Sequence, residues 1–398
     1  MPFSLFEGDW LQRAYARLHL SKYARWRLLK RCALVIALTW LPVALLAWRG
    51  GYVGGGLTAV NFFADFAAYA QFLLAMPLFV LAEPIIDAST RAAARQFITC
   101  GIIRPEDRTR FYRLNAQIKR LRTAAWPDLA CIAIGYALSL AILIPEFGPG
   151  PHLATWHVQN WPTVRTFSLP GAWEFLIALP LLNYTWLRYG WKILLWIYYL
   201  ARLSRARLEL HPTHADLTGG IGFISNAQSQ FAIFILAYGI SNIAATVGYE
   251  ISILHYDLST TPVWGPLAGF TIGAPLLFTL PLLMFTRQLY RSKQRALAIY
   301  RQRVTEHSRQ VETRWTSARN SESAADEIRE LTELSTLGTM FSRIENMRIV
   351  PFDLASFSQL IGSSLGSIAT LLPILHVSGN VTGVFGAFSK FLGHFGAH

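Results

Sequence analysis

Charged residues are scarce in this sequence. They make up 15% of its 398 residues, against about 25% in ordinary soluble domains. Acidic residues are the scarcer sign, with 23 Asp and Glu against 36 Lys and Arg, which leaves a net charge of +13. The chain is also 53% hydrophobic. This combination argues against a soluble globular domain and is typical of a protein that is solvated largely by lipid.

Cysteine is nearly absent as well. Cys32, Cys100 and Cys131 have no paired spacing, which argues against a disulfide framework and against a zinc knuckle. Lysine and arginine cluster beside hydrophobic runs, as the positive-inside rule predicts, and this pattern does not suit a nucleic-acid surface. We therefore expect anionic lipid headgroups as partners and no nucleic acid.

Hydrophobic segments predict an all-α, polytopic helical membrane protein with about seven transmembrane helices. Residues 1–31 precede the first segment, carry seven Lys and Arg, and predict a basic amphipathic helix on the cytoplasmic membrane face. The N-terminus is therefore predicted to be cytoplasmic and the C-terminus to lie on the opposite side. The hydrophobic segments are 32–48, 61–82, 126–144, 172–200, 231–247, 266–285 and 352–375.

Two charged regions interrupt the hydrophobic segments. Residues 88–124, with nine Lys and Arg and two acids, predict a cytoplasmic helical hairpin within a transmembrane domain of residues 32–285. Residues 286–350 carry apolar positions every three or four residues, which predicts a coiled-coil-like cytoplasmic hairpin or half of an oligomeric stalk. The last transmembrane helix, 351–375, and a glycine-rich tail, 376–398, follow.

Six polar residues lie at membrane depth in these segments, where polar groups usually face the protein interior or a water-filled cavity. Asp65 is either a helix cap or a functional carboxylate, and the sequence favours neither. Arg188 and Lys192 lie one helical turn apart. They extend to the interface, line an anion path, or pair with Glu83 and Asp87. The candidates for a polar pathway are Asp65, Gln71, Glu83, Arg188, Lys192 and Asn242.

The last hydrophobic segment is rich in serine and glycine. Gly362 and Gly366 form a GxxxG pattern, which predicts close packing against another helix. The small polar residues around them suit the lining of a pore as well as they suit a packing interface. Both interpretations remain open from the sequence.

A glycine loop at residues 211–225 joins two hydrophobic segments and contains residues that could support chemistry. Glycine permits positive φ and close backbone approach, so its glycines predict a shaped loop and not a helix. We interpret the loop first as a gate or packing plug held by a contact between His214 and Asp216. A metal site formed by His211, His214 and Asp216 is the weaker alternative. The structural or gating candidates are His214, Asp216, Gly219, Gly220 and Gly222.

The loop motif, residues 212–216 followed by 219–223, is accompanied by shorter motifs at 63–65, 71–78, 82–84 and 351–354. Together they resemble a family of uncharacterised bacterial multi-pass inner-membrane proteins with a PTHPDxxGGLGF-like loop. This chain departs from that pattern at Ala215, Leu217 and Thr218, where the family has proline, arginine and alanine, and His211 lies outside it. The resemblance implies a bacterial inner-membrane location, in which the side predicted above for the C-terminus is the periplasm, and it implies no activity.

The sequence favours an oligomeric ion channel or small-solute transporter, because its polar residues lie at membrane depth and one loop could close a pore. We expect a homo-oligomer with no catalytic residues and no cofactor, and not an enzyme. One alternative is a membrane scaffold or signalling protein that acts through its cytoplasmic helical stalk. A less favoured alternative is an interfacial metal-dependent enzyme.

Overall fold

The computed structural model describes residues 3–20, 24–52, 61–146, 155–161, 164–252, 261–317 and 324–372. These residues are mostly helical, which confirms the all-α class; two short strands among them form an antiparallel hairpin. The predicted tail, 376–398, lies outside the described residues. The elements are α1 Trp10–Arg17, α2 Arg25–Arg49, α3 Phe66–Thr99, α4 Arg108–Thr123, α5 Trp126–Glu146, β1 Val158–Trp161, β2 Val164–Phe167, α6 169–203, α7 Phe223–Ile251, α8 Thr261–Thr279, α9 Thr286–Ser317, α10 Ala324–Glu345 and α11 Leu354–Ala369.

Four helices of the described residues are long and apolar enough to cross a membrane: α2, α3, α7 and the helix Gly265–Gln310, which joins α8 to α9. A fifth candidate arises if Pro105–Thr123 and Trp126–Ile142, which meet at 43°, form one broken span. The helices α6 and α11 are not in this set, and α11 has only 16 residues. The structure therefore supports four to five of the seven predicted spans.

Four helices begin at a side chain that caps them. The side chains of these residues accept hydrogen bonds from backbone N–H groups in the first helical turn, which otherwise lack partners. Asp9 caps α1 at 3.0 Å, Asp65 caps α3 at 2.9 Å, Ser168 caps α6 at 3.0 Å and Asp353 caps α11 at 3.1 Å. Because Asp9 and Asp65 are fixed by their own backbones, their second carboxylate oxygens are held in place for other contacts.

Three of the described helices contain a π-helical turn: Tyr69–Ala75 in α3, Glu174–Ala178 in α6 and Gly239–Ala244 in α7. Such turns are rare and occur frequently at functional sites. The π turns of α3 and α7 pack against each other. Across this contact Gln71 donates to the backbone carbonyl of Ser241 at 3.2 Å.

The centre of the bundle lies where α3, α6 and α7 meet. Phe79, Tyr189 and Phe234 contribute one aromatic ring from each helix, with ring centroids 5.4 to 6.0 Å apart. Edge-on and offset ring contacts at this spacing are favourable beyond the area they bury. The Tyr189 hydroxyl also donates to the backbone carbonyl of Phe79. These contacts fix the faces of α3 and α6 that carry the charged residues.

The N-terminal segment, defined as residues 3–9, is part of the bundle. Phe3 packs at 4.5 Å against Tyr199, and Phe6 packs at 5.3 Å against Tyr189. The sequence predicted a surface amphipathic helix over residues 1–31. The structure forms a helix there, α1, but buries the apolar residues before it.

Helices α9 and α10 pack antiparallel, as the sequence predicted for this region. Lys293 Nζ donates to the carbonyls of Glu345 and Met347 at 2.7 and 2.8 Å. Further along the pair, the Tyr300 hydroxyl lies 4.0 Å from the Met340 sulfur. Coiled-coil supercoiling and a cytoplasmic position stay predictions.

Close packing of α11 occurs beside the predicted GxxxG pair and not through it. Among the residues that the structure describes, none lies within 4 Å of where a Cβ atom on Gly362 would be, and a Cβ atom on Gly366 would lie 3.5 Å from Leu236. A Cβ atom on Gly239 of α7, by contrast, would lie 2.3 Å from Ser367 Oγ. The glycine that permits α7 and α11 of the same chain to approach closely is therefore Gly239 of α7.

Candidate functional site

Arg188 and Lys192 lie inside the bundle and do not extend to an interface. They are 2% and 1% exposed. Both project from the same face of α6, since residues four apart lie one helical turn apart. Buried cations need partners, because transfer of an unpaired charge out of water costs several kcal/mol. The structure supplies those partners from α1 and α3.

Asp9 is the acid that binds both cations. Its Oδ2 accepts from Arg188 Nη2 at 2.6 Å and from Nε at 3.0 Å, and Lys192 Nζ lies at 3.1 Å. Its other oxygen caps α1 by accepting from the Gln12 N–H. Burial by itself raises the pKa of Asp9, but the positive charges of Arg188 and Lys192 outweigh it and lower that pKa to about 2. Asp9 is therefore ionised throughout the physiological range.

Glu83 of α3 is the second acid of the cluster. Its Oε2 accepts from Arg188 Nη1 at 3.1 Å, and its Oε1 accepts from the side chain of Gln12. Arg31 of α2 lies 3.7 Å from the same carboxylate and is fully buried. The guanidinium of Arg31 also donates to the Leu20 carbonyl at 2.5 and 2.8 Å. Pairing of Arg188 with Glu83, one of the alternatives that the sequence left open, is thus present in the structure.

We call these five residues the ion-pair cluster: Asp9, Arg31, Glu83, Arg188 and Lys192. It brings three positive and two negative side chains from four different helical segments into one buried site. Asp128 of α5 supplies a further negative charge nearby and accepts from the Tyr184 hydroxyl at 3.2 Å. The cluster is almost neutral as a whole, which is the condition under which charges can be buried.

Asp87, one turn beyond Glu83, does not pair with Arg188. Its Oδ1 accepts from Ser4 Oγ at 2.7 Å and from the Leu5 and Phe6 N–H groups at 2.9 and 3.3 Å. Its Oδ2 pairs with Arg91 at 2.5 Å. Asp87 therefore binds the backbone of the N-terminal segment. The suggested pairing of Asp87 with Arg188 and Lys192 is wrong, and Asp9 is the acid that pairs with both cations.

An apolar cleft of about 170 Å³ lies beside the ion-pair cluster. Leucines of α1, α2 and α6, including Leu11, Leu34 and Leu181, line it together with Glu83 and Arg188. A space of this size holds a few water molecules or a small ion. The cluster is therefore buried but has a cavity directly beside its charged groups.

Asp65, the most conspicuous acid of the sequence, lies in a second group. Beyond capping α3, it accepts from the Trp156 indole N–H at 3.0 Å. His157 Nε2 lies 3.9 Å from Asp65 and 3.0 Å from Glu174, the first residue of the π turn in α6. We call Asp65, His157 and Glu174 the acid–histidine group. Both interpretations of Asp65 are compatible with this geometry, since it is a cap and also faces a titratable partner.

The two groups lie at different levels along the same two helices. Glu83 follows Asp65 by 18 residues in α3, and Lys192 follows Glu174 by 18 residues in α6. At about 1.5 Å per residue each separation is about 27 Å, close to the hydrocarbon thickness of about 30 Å. The predicted polar residues thus do not form one continuous site.

Gln71 and Asn242 belong to neither group. Gln71 joins the π turns of α3 and α7, as described above. Asn242 donates to Ser241 Oγ at 2.7 Å and to the Tyr238 carbonyl at 3.3 Å, both on its own helix. These amides therefore stabilise the π turns.

The glycine loop is organised by Asp216. Its carboxylate accepts from the N–H groups of Thr218 at 2.9 Å, Gly220 at 3.1 Å and Gly222 at 2.9 Å. Burial raises the pKa of Asp216, but these donors favour the charged form more strongly and lower it to about 2. His214 Nδ1 lies 2.9 Å from the same carboxylate. The predicted contact between these two side chains is present.

Glycine is required at two positions of this loop. Gly219 and Gly220 have φ angles of 68° and 89°, where side chains are disfavoured. No three His, Cys, Asp or Glu side chains of the described residues lie close enough to hold a metal ion. His211, His214 and Asp216 are among those described, so the geometry gives no support to a metal site there.

The loop adjoins a cleft of about 480 Å³ that also borders the start of α11. Asp353, the cap of α11, accepts from Ser225 Oγ of α7 at 3.1 Å, and the Arg348 N–H donates to the Leu217 carbonyl at 2.7 Å. The loop therefore joins α7 to the segment between α10 and α11. Whether it moves as a gate stays a prediction.

Sequence reasoning missed Asp9, His157 and Glu174 as members of these groups. Glu174 could have been found by the argument applied to Asp65, because it is also an acid at the start of an apolar segment. Asp9 carried the signal of a helix cap, but nothing local indicated its partners 179 residues away.

Comparisons with protein-family models, with curated proteins and with solved structures return no match. The resemblance to bacterial multi-pass inner-membrane proteins therefore stays a prediction from short motifs.

Proposed function

We propose that this chain is a membrane transport protein, an ion channel or small-solute transporter, in which the ion-pair cluster is a closed permeation gate. The observation that carries the proposal is the burial of Arg188 and Lys192 against Asp9, a residue of the N-terminal segment. Stability alone does not call for such a site, because well-packed apolar residues often serve as well as a buried ion pair or better. A buried charge cluster beside a cavity suits a site that opens.

The N-terminal segment is the element that moves in this proposal. It is held by polar contacts, from Asp87 to Ser4 and the following N–H groups and from Asp9 to the two cations. Its withdrawal leaves Arg188 at the adjacent cleft and removes Asp9 from both cations, so that Glu83 and the nearby Asp128 remain as acids against Arg31, Arg188 and Lys192. A pathway with surplus positive charge attracts anions, so the proposed cargo is a small anion or an acidic solute.

Anion flux into liposomes tests this function. Deleting residues 3–9, or the milder change Asp9→Asn, is expected to raise flux at least about tenfold, because one negative charge that closes the site is lost. Arg188→Gln is expected to abolish the increase. Arg202→Gln is the matched control, since it removes an exposed charge from the same helix. Vesicles with wild-type, truncated and Asp9→Asn protein that stay impermeable to every ion tested would refute the proposal.

Assembly and lipid contacts belong to the same proposal. We propose a homo-oligomer in a bacterial inner membrane, with anionic headgroups at the basic surface near Arg205 and Arg207. Both arginines line open clefts between α4, α6 and α9. Native mass spectrometry from nanodiscs measures the subunit number, and bound anionic lipid is expected to decrease in Arg205→Gln/Arg207→Gln. A monomer without retained lipid would contradict both parts.

A scaffold function is the second candidate, and the exposed apolar residues of the α9–α10 pair favour it. Ile299 is 53% exposed and Met340 is 37% exposed, although they lie on helices that otherwise pack. Replacing residues 301–340 with a short Gly/Ser linker tests their role. Unchanged flux and unchanged oligomeric mass would favour a scaffold, whereas a loss of flux or mass would assign the helices to transport or assembly.

A further inference from the structure

The acid–histidine group is a site distinct from the proposed gate. Both of its carboxylates are buried, whereas the His157 side chain is 15% exposed and reaches solvent. We propose that Asp65, His157 and Glu174 bind a proton, which, if the proposed transport function holds, makes the proton its coupling ion. Chains of carboxylates and histidines in membrane-embedded regions characteristically carry protons.

Charge balance is the first reason for this assignment. Two ionised carboxylates around a neutral imidazole place two uncompensated negative charges in a buried site, which is unfavourable. One proton on the imidazole reduces the net charge to −1, and a second on a carboxyl group reduces it to zero. Binding of one proton by the group therefore reduces the negative charge that is buried there.

The existing hydrogen bonds identify where the proton is held. Asp65 already accepts two donors, the Ala67 N–H at 2.9 Å and the Trp156 indole N–H at 3.0 Å. Glu174 Oε2 has no hydrogen-bond donor among the described residues besides the imidazole that lies 3.0 Å away. A proton on His157 Nε2 is therefore directed at Glu174, and Asp65 is the second charge that faces it.

The surroundings of the imidazole contribute one further titratable group. Tyr69, in the first π turn of α3, interacts electrostatically with Asp65. The Trp156 ring lies 3.7 Å from the imidazole ring and the Phe175 ring lies 5.9 Å away, each measured between centroids. The described groups that set the charge here are thus the two carboxylates and the Tyr69 phenol.

The position of the site connects it to the helices of the proposed gate. Asp65 caps α3 four residues before the π turn of that helix, and Glu174 begins the π turn of α6. Proton binding changes the charge at the same end of both helices. The ion-pair cluster lies on these helices about 27 Å away. A movement of α3 relative to α6 therefore changes the distances between charged groups at both sites.

A histidine titration tests the proposal without any transport assay. Protein labelled with ¹⁵N-histidine in lipid nanodiscs is followed by NMR between about pH 5 and pH 8, with the His157 signal identified by its loss in His157→Gln. We expect this signal to titrate. Glu174→Gln is expected to lower its half-protonation point by about one pH unit or more, because a neighbouring carboxylate is neutralised. His211→Gln, which removes an exposed histidine, is expected to leave the His157 titration unchanged.

Each outcome has a defined meaning. A His157 signal that does not titrate, or whose half-protonation point is the same in Glu174→Gln, overturns the proposal. If His157→Gln does not fold, the His157 signal of the wild-type protein is assigned from the ring-current change in Trp156→Phe. The comparison of wild type with Glu174→Gln then decides the proposal. Proton uptake in a protein whose wild-type, truncated and Asp9→Asn forms all stay impermeable supports this site and overturns the transport function. Flux without proton uptake supports transport and overturns this site.

Discussion

The contact of Asp9 with Arg188 and Lys192 gives a prediction of defined size. Asp9→Asn keeps the volume of the side chain and an oxygen that caps α1, so the change removes little except charge. The pKa of Asp9 is lowered from its ordinary value of 3.8 to about 2, and at 1.36 kcal/mol per pH unit this corresponds to about 2.5 kcal/mol. Removing one partner of a buried pair costs about 3–5 kcal/mol. We therefore expect Asp9→Asn to weaken the docking of the N-terminal segment by at least about 2.5 kcal/mol.

Limited proteolysis measures this docking. Trypsin cleaves after Arg13 and Arg17 when the N-terminal segment and α1 open locally, and under rapid reclosing the rate follows the population of the open form. A loss of about 2.5 kcal/mol raises that rate about 60-fold. Glu7→Gln is the matched control, because Glu7 is an exposed acid two residues away whose contact with Arg91 is 3.4 Å long. Exposed ion pairs contribute about 0–1 kcal/mol, so the control is expected to change the rate by less than about fivefold.

The pH dependence of thermal unfolding tests the same reasoning independently. Because the folded-state pKa of Asp9 lies below its unfolded value, the carboxylate stabilises the protein fully above about pH 4. This contribution is lost as the pH falls through about 2. The stability difference between wild type and Asp9→Asn is therefore constant from neutral pH to about 4 and shrinks below it. Equal cleavage rates for Asp9→Asn and Glu7→Gln, or a stability difference that is unchanged near pH 2, would refute the assignment of Asp9 as the central acid.

Three further predictions concern the loop and the packing of the helices. Asp216→Ala leaves three backbone N–H groups without their acceptor, so calorimetry at neutral pH is expected to show unfolding at a lower temperature. The part of this difference that depends on the carboxylate charge is expected to be lost as the pH falls from about 4 through the Asp216 pKa of about 2. Gly239→Ala places a Cβ atom 2.3 Å from Ser367 Oγ and is expected to destabilise the protein by about 1–3 kcal/mol in thermal unfolding, whereas Gly362→Ala, which meets nothing within 4 Å, should be neutral or slightly stabilising. Gln71→Leu removes the hydrogen bond between the π turns and leaves a carbonyl without its donor, so hydrogen exchange in α7 should increase about fivefold or more, and unchanged exchange would contradict this role.

Local chemistry made part of this protein predictable from its sequence. Asp216 and the glycines after it define a loop through contacts within seven residues, so the sequence carries nearly all the information needed. The predicted depth allowed Arg188 to pair with Glu83, since opposite charges at one membrane level attract each other, but it allowed two other arrangements equally and could not decide between them. The helical class could be predicted from the hydrophobic segments. Seven spans were predicted, and the described residues contain four to five helices that are able to cross a membrane.

The remaining features depend on contacts between distant parts of the chain. Asp9 lies in a basic segment, which is also the pattern expected of a helix on the membrane surface. Its partners on α6 are known only from the folded structure. His157 and Glu174 come together only because a β-hairpin returns the chain to the start of α6. The packing of Gly239 against Ser367 could not be read from the GxxxG pattern, because the small residue that matters belongs to the other helix.

The burial of residues 3–9 also constrains how the protein is made. Asp9 leaves the ribosome 179 residues before Arg188, an interval of about 10–40 seconds at usual rates of synthesis. During that time the segment that will fill the bundle has no binding site, because α3 and α6 are still being translated and inserted. Residues 3–9 are therefore made well before they can dock, and the N-terminal segment stays accessible to proteases or chaperones until α6 is in place.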